Sequence, residues 1–109
     1  MMKVLVVDDE APARERLRSM LKAFENCDVC GEAANGEEAL SVASEQQPDV
    51  MLMDIRMPGL NGVDAFRQMR QHGTATRVIL MSAFGVEELK HQALDEGAIA
   101  FLDKRVIVL

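Results

Sequence analysis

Two stretches, Val4-Leu5-Val6-Val7 and Val50-Met51-Leu52-Met53, are apolar without a break. A strand with one wet face alternates apolar and polar residues, whereas a strand buried on both faces does not. Neither stretch has helical spacing, and each ends directly in acid, Asp8-Asp9 in the first and Asp54 in the second. Pro58, Gly59 and Gly62 then force a loop after Asp54. Such runs, bounded by turn residues, predict strands inside a parallel sheet covered by helices on both faces.

The rest of the chain repeats the pattern. Lys3 to Val7 is the first predicted strand. Pro12 suits the first turn of a helix, and Ala13, Leu17, Met20, Leu21 and Phe24 follow at helical spacing. Arg14, Glu15, Arg16 and Arg18 lie off that stripe. Asp28 to Ala33 reads as a shorter second strand. Asn35 is an N-cap for a second helix, with Glu37 and Glu38 in its first turn, Ala39, Leu40 and Ala43 on its apolar face, and Pro48 at its end. Val63, Phe66 and Met69 mark a third helix closed by His72-Gly73. Arg77 to Met81 is a fourth buried strand that leads into Ser82-Ala83. Val86 to Glu96 forms a fourth helix stopped by Gly97, and Ala98 to Leu102 a fifth strand before Asp103 and Lys104. Alternating strands and helices with short joints give an α/β doubly wound sheet. A length of 109 residues suits a single domain spanning 1–109.

Composition narrows the function. The net charge of −6 makes the chain a poor partner for nucleic acid. No apolar stretch approaches the ~20 residues of a membrane span. The opening Met1-Met2-Lys3-Val4 runs straight into a strand without a signal-peptide layout, so a cytoplasmic location is expected. Cys27 and Cys30 form a lone C-x-x-C, but on a strand residues three apart face opposite sides, which points to packing. Met51, Met53, Met69 and Met81 fall at core positions, and His72 and His91 on solvated helix surfaces.

In a parallel sheet all carboxyl ends lie on one edge, where ligands bind. Collected there are Asp8 and Asp9, Asp54, Ser82 and Lys104. Alone, each has an ordinary reading as a loop acid, turn hydroxyl or surface lysine. Together they describe a site. Three adjacent carboxylates repel one another unless a cation lies between them, and an oxygen-only site suits Mg²⁺. The lysine and the hydroxyl can bind phosphoryl oxygens, which leaves Asp54 as a nucleophile able to form an aspartyl phosphate.

With these residues in place, the chain resembles the receiver domain of bacterial two-component response regulators. The matching pieces are Val6-Val7-Asp8-Asp9-Glu10, Ala33-Ala34-Asn35-Gly36-Glu37-Glu38-Ala39-Leu40, Met53 to Gly62, Met81-Ser82-Ala83, Gly97-Ala98 and Phe101-Leu102-Asp103-Lys104. The resemblance runs from residue 3 to about residue 104, with 105–109 as an atypical tail. It implies a flavodoxin-like five-stranded sheet of order 2-1-3-4-5. It also implies a phosphorylation switch in which Asp54 accepts the phosphoryl group from the phosphohistidine of a sensor histidine kinase or phosphotransfer protein. By position, Asp9 would hold Mg²⁺ directly and Asp8 largely through water, joined by Asp54 and the backbone carbonyl of Arg56. Ser82 and Lys104 would bind the phosphoryl oxygens. Ser82 and Phe101 would be the switch residues, and Arg56 and Phe84 would tune the lifetime of the phosphoryl group. Catalysis would be limited to accepting that group and slowly hydrolysing it.

The chain departs from the family at its end. Arg105 stands where receivers carry proline, and Val106 to Leu109 are too few for a fifth helix. Apolar surface beside Leu17, Met20 and the fifth strand is therefore expected to meet water, which makes a homodimer through the C-terminal segment one outcome. The alternative function is a shortened receiver serving as a non-catalytic interaction or assembly module. An aspartyl-phosphate hydrolase fits less well, since such enzymes carry a second acid where this chain has Arg56. A flavodoxin is disfavoured because Asp8-Asp9-Glu10 would repel a flavin phosphate.

Overall fold

The computed structural model describes residues 1–83 and 86–106. Five strands, β1 (Met2–Val7), β2 (Cys27–Ala33), β3 (Val50–Asp54), β4 (Arg77–Ser82) and β5 (Ala100–Asp103), alternate with four helices. The helices are α1 (Ala11–Leu21), α2 (Gly36–Gln46), α3 (Gly62–Gln71) and α4 (Val86–Asp95). All neighbouring strands pair in parallel, in the order β2-β1-β3-β4-β5. Among the described residues no α-helix follows β5, and Lys104–Val106 make one 3-10 turn. This is the expected doubly wound fold, and among the described residues it has no fifth helix.

Successive residues of the central strands feed opposite sides of the sheet. Leu5, Val7, Met51 and Met53 join a large cluster with Phe66 and Met69 of α3 and Ala93 of α4. Val4, Val6 and Leu52 join a smaller cluster with Leu17 of α1 and Met81 of β4. Both faces are covered, so neither needs polar residues and the sequence shows no alternation. The four methionines assigned to the core are all buried there.

Local chemistry sets the helix ends. Asn35 Oδ1 accepts from the Glu38 amide at 2.8 Å while its Nδ2 donates to Glu38 Oε2 at 3.1 Å. A side-chain cap of this kind is worth about 1 kcal/mol, and the acids of the first turn complement the helix dipole. α1 stops at Leu21, short of the expected end of its stripe. Phe24 lies in the following turn and is 57% exposed. β5 starts two residues later than expected because the Ala98 amide closes the end of α4 on the Ala93 carbonyl.

The side left without a fifth helix is less bare than anticipated. Leu17 is buried against the sheet, as its place on the apolar stripe of α1 implied. Met20, Leu21, Ile79 and Leu102 remain half-covered around it. Cys27 packs on the α1 side and Cys30 on the other, both as free thiols. The β1–β2 register slips between Val4 and Leu5, which pair with Val29 and Gly31 and leave Cys30 unmatched. His72 and His91 are exposed.

Candidate functional site

β1 and β3 lie side by side, so the residues that end them meet. Asp8 is fully buried, Asp54 is 6% exposed and Asp9 faces solvent. One carboxylate oxygen from each lies within 4.8 Å of the other two. Lys104, directly after β5, reaches back over the edge. Its Nζ donates to Asp8 Oδ2 at 2.7 Å and to Asp54 Oδ2 at 3.3 Å. The other oxygens are held by backbone: Asp8 Oδ1 accepts from the Glu10 amide at 3.0 Å, and Asp54 Oδ1 from the Arg56 amide at 3.3 Å.

The electrostatics follow from burial. Loss of water pushes the Asp54 carboxyl above its ordinary value; Lys104 opposes the rise and the Asp8 charge adds to it. For Lys104 burial acts to lower the pKa, but the hydrogen bond to Asp8 and the charges of Asp54 and Asp8 outweigh it, and the ammonium is held above its usual value. A charge this far from water persists only when paired.

The loop after Asp54 is fixed by close packing. A Cβ on Gly62 would lie 2.5 Å from the Asp54 carbonyl oxygen, a distance no side chain tolerates. Gly36, at the start of α2, lies equally tight under Leu60. The Leu60 amide donates to Glu37 Oε1 at 3.3 Å, and Asn61 Oδ1 caps α3 by accepting from the Asp64 amide at 3.0 Å. Both neighbouring helices thus hold the loop that carries Arg56.

Asp8, Asp9, Asp54 and Lys104 come together as the strand ends foretold. Ser82 closes β4, fully buried and in register with Asp103, on the same edge. Arg56 is exposed, and its backbone amide faces Asp54. Phe101 is half-buried against the larger cluster. Phe84 lies outside the described residues. Sequence reasoning missed Arg14, set aside as an off-stripe helix residue. Its Nη1 donates to the Asp8 carbonyl at 2.6 Å, and its Nε to Glu32 Oε1 at 3.0 Å. Nothing in a helical pattern marks an arginine that turns back onto its own preceding loop. A recess lined by Leu40, Pro48, Met69 and Arg77 opens at the opposite edge of the sheet and contains none of the expected site residues.

The donor set is three carboxylates with no sulfur or imidazole. Hard oxygen ligands of this type fit Mg²⁺, which typically takes one or two carboxylates and keeps several waters. Beside that position Lys104 offers an ammonium, and Asp54 an oxygen nucleophile.

Known proteins share this fold. A family model described as the response regulator receiver domain matches residues 4–107. The chain is 39% identical over 104 residues to the transcriptional regulatory protein LnrK of Bacillus subtilis, covering 95% of this chain and 47% of that protein. It therefore spans about half the length of this curated relative. The response regulator domain of Thermotoga maritima CheB superposes with a TM-score of 0.91 at 38% identity, covering 100% of this chain and 84% of that one. A chain of the CheX-CheY-BeF3-Mg+2 complex of Borrelia burgdorferi superposes with a TM-score of 0.86 at 30% identity, covering 94% of this chain and 77% of that one.

Proposed function

Because the chain belongs to the response regulator receiver domains, we propose that it is the phosphorylation switch of a two-component relay, with Asp54 as phosphoacceptor. The observation that carries this reading is the convergence of Asp8, Asp9, Asp54 and Lys104 on one sheet edge. An Asp54 carboxylate oxygen would attack the phosphorus of a phosphohistidine. The new O–P bond forms as the P–N bond breaks, and the departing imidazole keeps the electron pair and takes up a proton.

Asp8, Asp9 and Asp54, with the Arg56 carbonyl, would hold Mg²⁺, which when bound supplies positive charge to the phosphoryl oxygens. Lys104 would leave its pairing with the acids to bind one of those oxygens, and the Ser82 hydroxyl would donate to another. Arg56 and Phe84 are assigned the tuning of hydrolysis, and Ser82 and Phe101 the response to phosphorylation. The partner is a histidine kinase or phosphotransfer protein in the cytoplasm. The net charge of −6 speaks against direct nucleic-acid binding by this domain.

Incubation with acetyl phosphate and Mg²⁺, followed by intact mass, tests the proposal. One phosphoryl group should add to the parent and none to Asp54→Asn. No gain in the parent, or equal gain in both, overturns it.

The second reading, an assembly module, draws support from the half-covered Met20, Leu21, Ile79 and Leu102. A second copy laid against them would make a homodimer involving the C-terminal segment. Light scattering across micromolar dilutions decides between a one-chain mass, which removes this reading, and a dimer lost on deleting Val106–Leu109.

A further inference from the structure

Arg14 joins three parts of the molecule. From α1 its Nη1 donates to the Asp8 carbonyl at 2.6 Å, and its Nε pairs with Glu32 of β2 at 3.0 Å. The other Glu32 oxygen takes Arg18 Nη1 at 2.9 Å. The Arg14 side chain is 19% exposed and that of Arg18 39%. A planar fork gripped at two of its nitrogens has its direction fixed, as a lysine would not.

The carbonyl it grips belongs to the peptide that joins Asp8 to Asp9. Asp8 itself is held elsewhere as well, its amide by the Ala33 carbonyl at 3.1 Å and its carboxylate by Glu10 and Lys104. Among the described residues no hydrogen bond or ion pair holds the Asp9 carboxylate. Its direction therefore depends on the backbone it springs from, and one end of that peptide is pinned by Arg14.

We propose that Arg14 is a positioning residue for cation binding: it fixes the Asp8–Asp9 peptide and so aims Asp9, with Glu32 orienting the guanidinium. The inference rests on the reading of the site as a Mg²⁺-binding receiver centre. Its sign separates it from a simple charge effect. Removing a positive charge beside a cation site should by itself tighten binding. Loss of positioning should weaken it instead, and partners that orient metal ligands typically carry about tenfold or more in affinity.

Amide NMR of the full chain titrated with Mg²⁺ is the test, since the chain has no Trp or Tyr to report binding. Arg14→Met should raise the Mg²⁺ Kd about tenfold. In metal-free protein it should also move the Asp9 amide nitrogen, which shares the peptide with the released carbonyl. Arg18→Met, which takes away only the second partner of Glu32, should leave the Kd within about twofold. Parental or tighter binding by Arg14→Met overturns the proposal. If Arg14→Met does not fold, Arg14→Lys keeps charge and stem but not the fork; weaker binding then supports the proposal and a parental Kd overturns it. A parent chain that binds no Mg²⁺ would remove the receiver reading itself, an outcome distinct from either.

Discussion

Lys104 stands nearer to Asp8 than to Asp54, 2.7 Å against 3.3 Å from Nζ to carboxylate oxygen. It is the ammonium that pairs with both buried carboxylates of the acidic edge. A metal ion and this ammonium therefore compete for the same carboxylates. Lys104→Met should tighten Mg²⁺ binding by about threefold, yet slow phosphoryl uptake from acetyl phosphate by at least about tenfold, because a donor to the phosphoryl oxygens is gone. Metal titration and timed intact mass measure the two effects. A parallel change in both would mean that Lys104 serves only the fold.

Asp54 carries a stability cost with a definite pH window. Its folded-state pKa is raised, chiefly by burial. Below the ordinary value of 3.8 folded and unfolded chains both keep the proton, and no cost arises. As pH climbs the unfolded chain releases it first, so stability falls until the pH passes the raised folded value and then levels. Asp54→Asn removes the cost while Lys104 keeps Asp8. In chelator, the variant should melt higher than the parent at neutral pH, with the gain shrinking toward acid. A gain that is constant with pH would place its cause in packing.

Asp9 and Ser82 separate metal from phosphoryl binding. Asp9→Ala should weaken Mg²⁺ binding by about tenfold or more, while Ser82→Ala should change it little, since a hydroxyl is a poor substitute for a carboxylate ligand. Calorimetric titration of each with Mg²⁺ would show the contrast. Equal affinities would take Asp9 out of the ligand set.

Gly62 tests the loop. A methyl there meets the Asp54 carbonyl and the Ile55 backbone, and backbone cannot step aside as a side chain tip can. Gly62→Ala should cost about 1–3 kcal/mol, as overpacking typically does, and shift Asp54 as well. Thermal melting checks the first effect and acetyl phosphate labelling the second. Gly73→Ala is the control for backbone strain alone. Its φ is positive, at 71°, as that of Gly62 is not, and a Cβ there meets nothing within 4 Å, so it should lower the melting point without loss of labelling.

The topology and the acidic edge were legible because they depend on one rule, that apolar runs in a parallel sheet end on a common edge. Asp8, Asp54 and Lys104 needed only their strand ends to be placed. The starts and stops of elements were harder. Phe24 fits the α1 stripe by spacing, yet the helix has ended before it, and β5 waits for Ala98 to finish closing α4. Periodicity carries no information on which residue makes the last backbone bond. Apolar surface beside Leu17 and Met20 was expected to meet water, and there Met20, Leu21, Ile79 and Leu102 are only partly covered while Leu17 itself packs with Val4, Val6 and Leu52. Arg14 was invisible for a different reason: its partners are a backbone carbonyl and a glutamate on β2, and neither leaves a mark in the residue pattern.

The position of β1 inside the sheet also governs how the molecule comes into being on the ribosome. The first strand to emerge is flanked by β2 and β3, so it is complete only once Val50–Met53 has left the exit tunnel. Asp8, Asp9 and Asp54 can then gather at one edge, 50 residues before Lys104 emerges in its turn. At ordinary elongation rates that interval lasts several seconds. Chains arrested after β3 and probed with protease, with and without Mg²⁺, would expose any dependence on the ion. During that interval Asp8 and Asp54 lack the ammonium that later pairs with them, so an early counter-charge at that edge would come from ions in the surroundings.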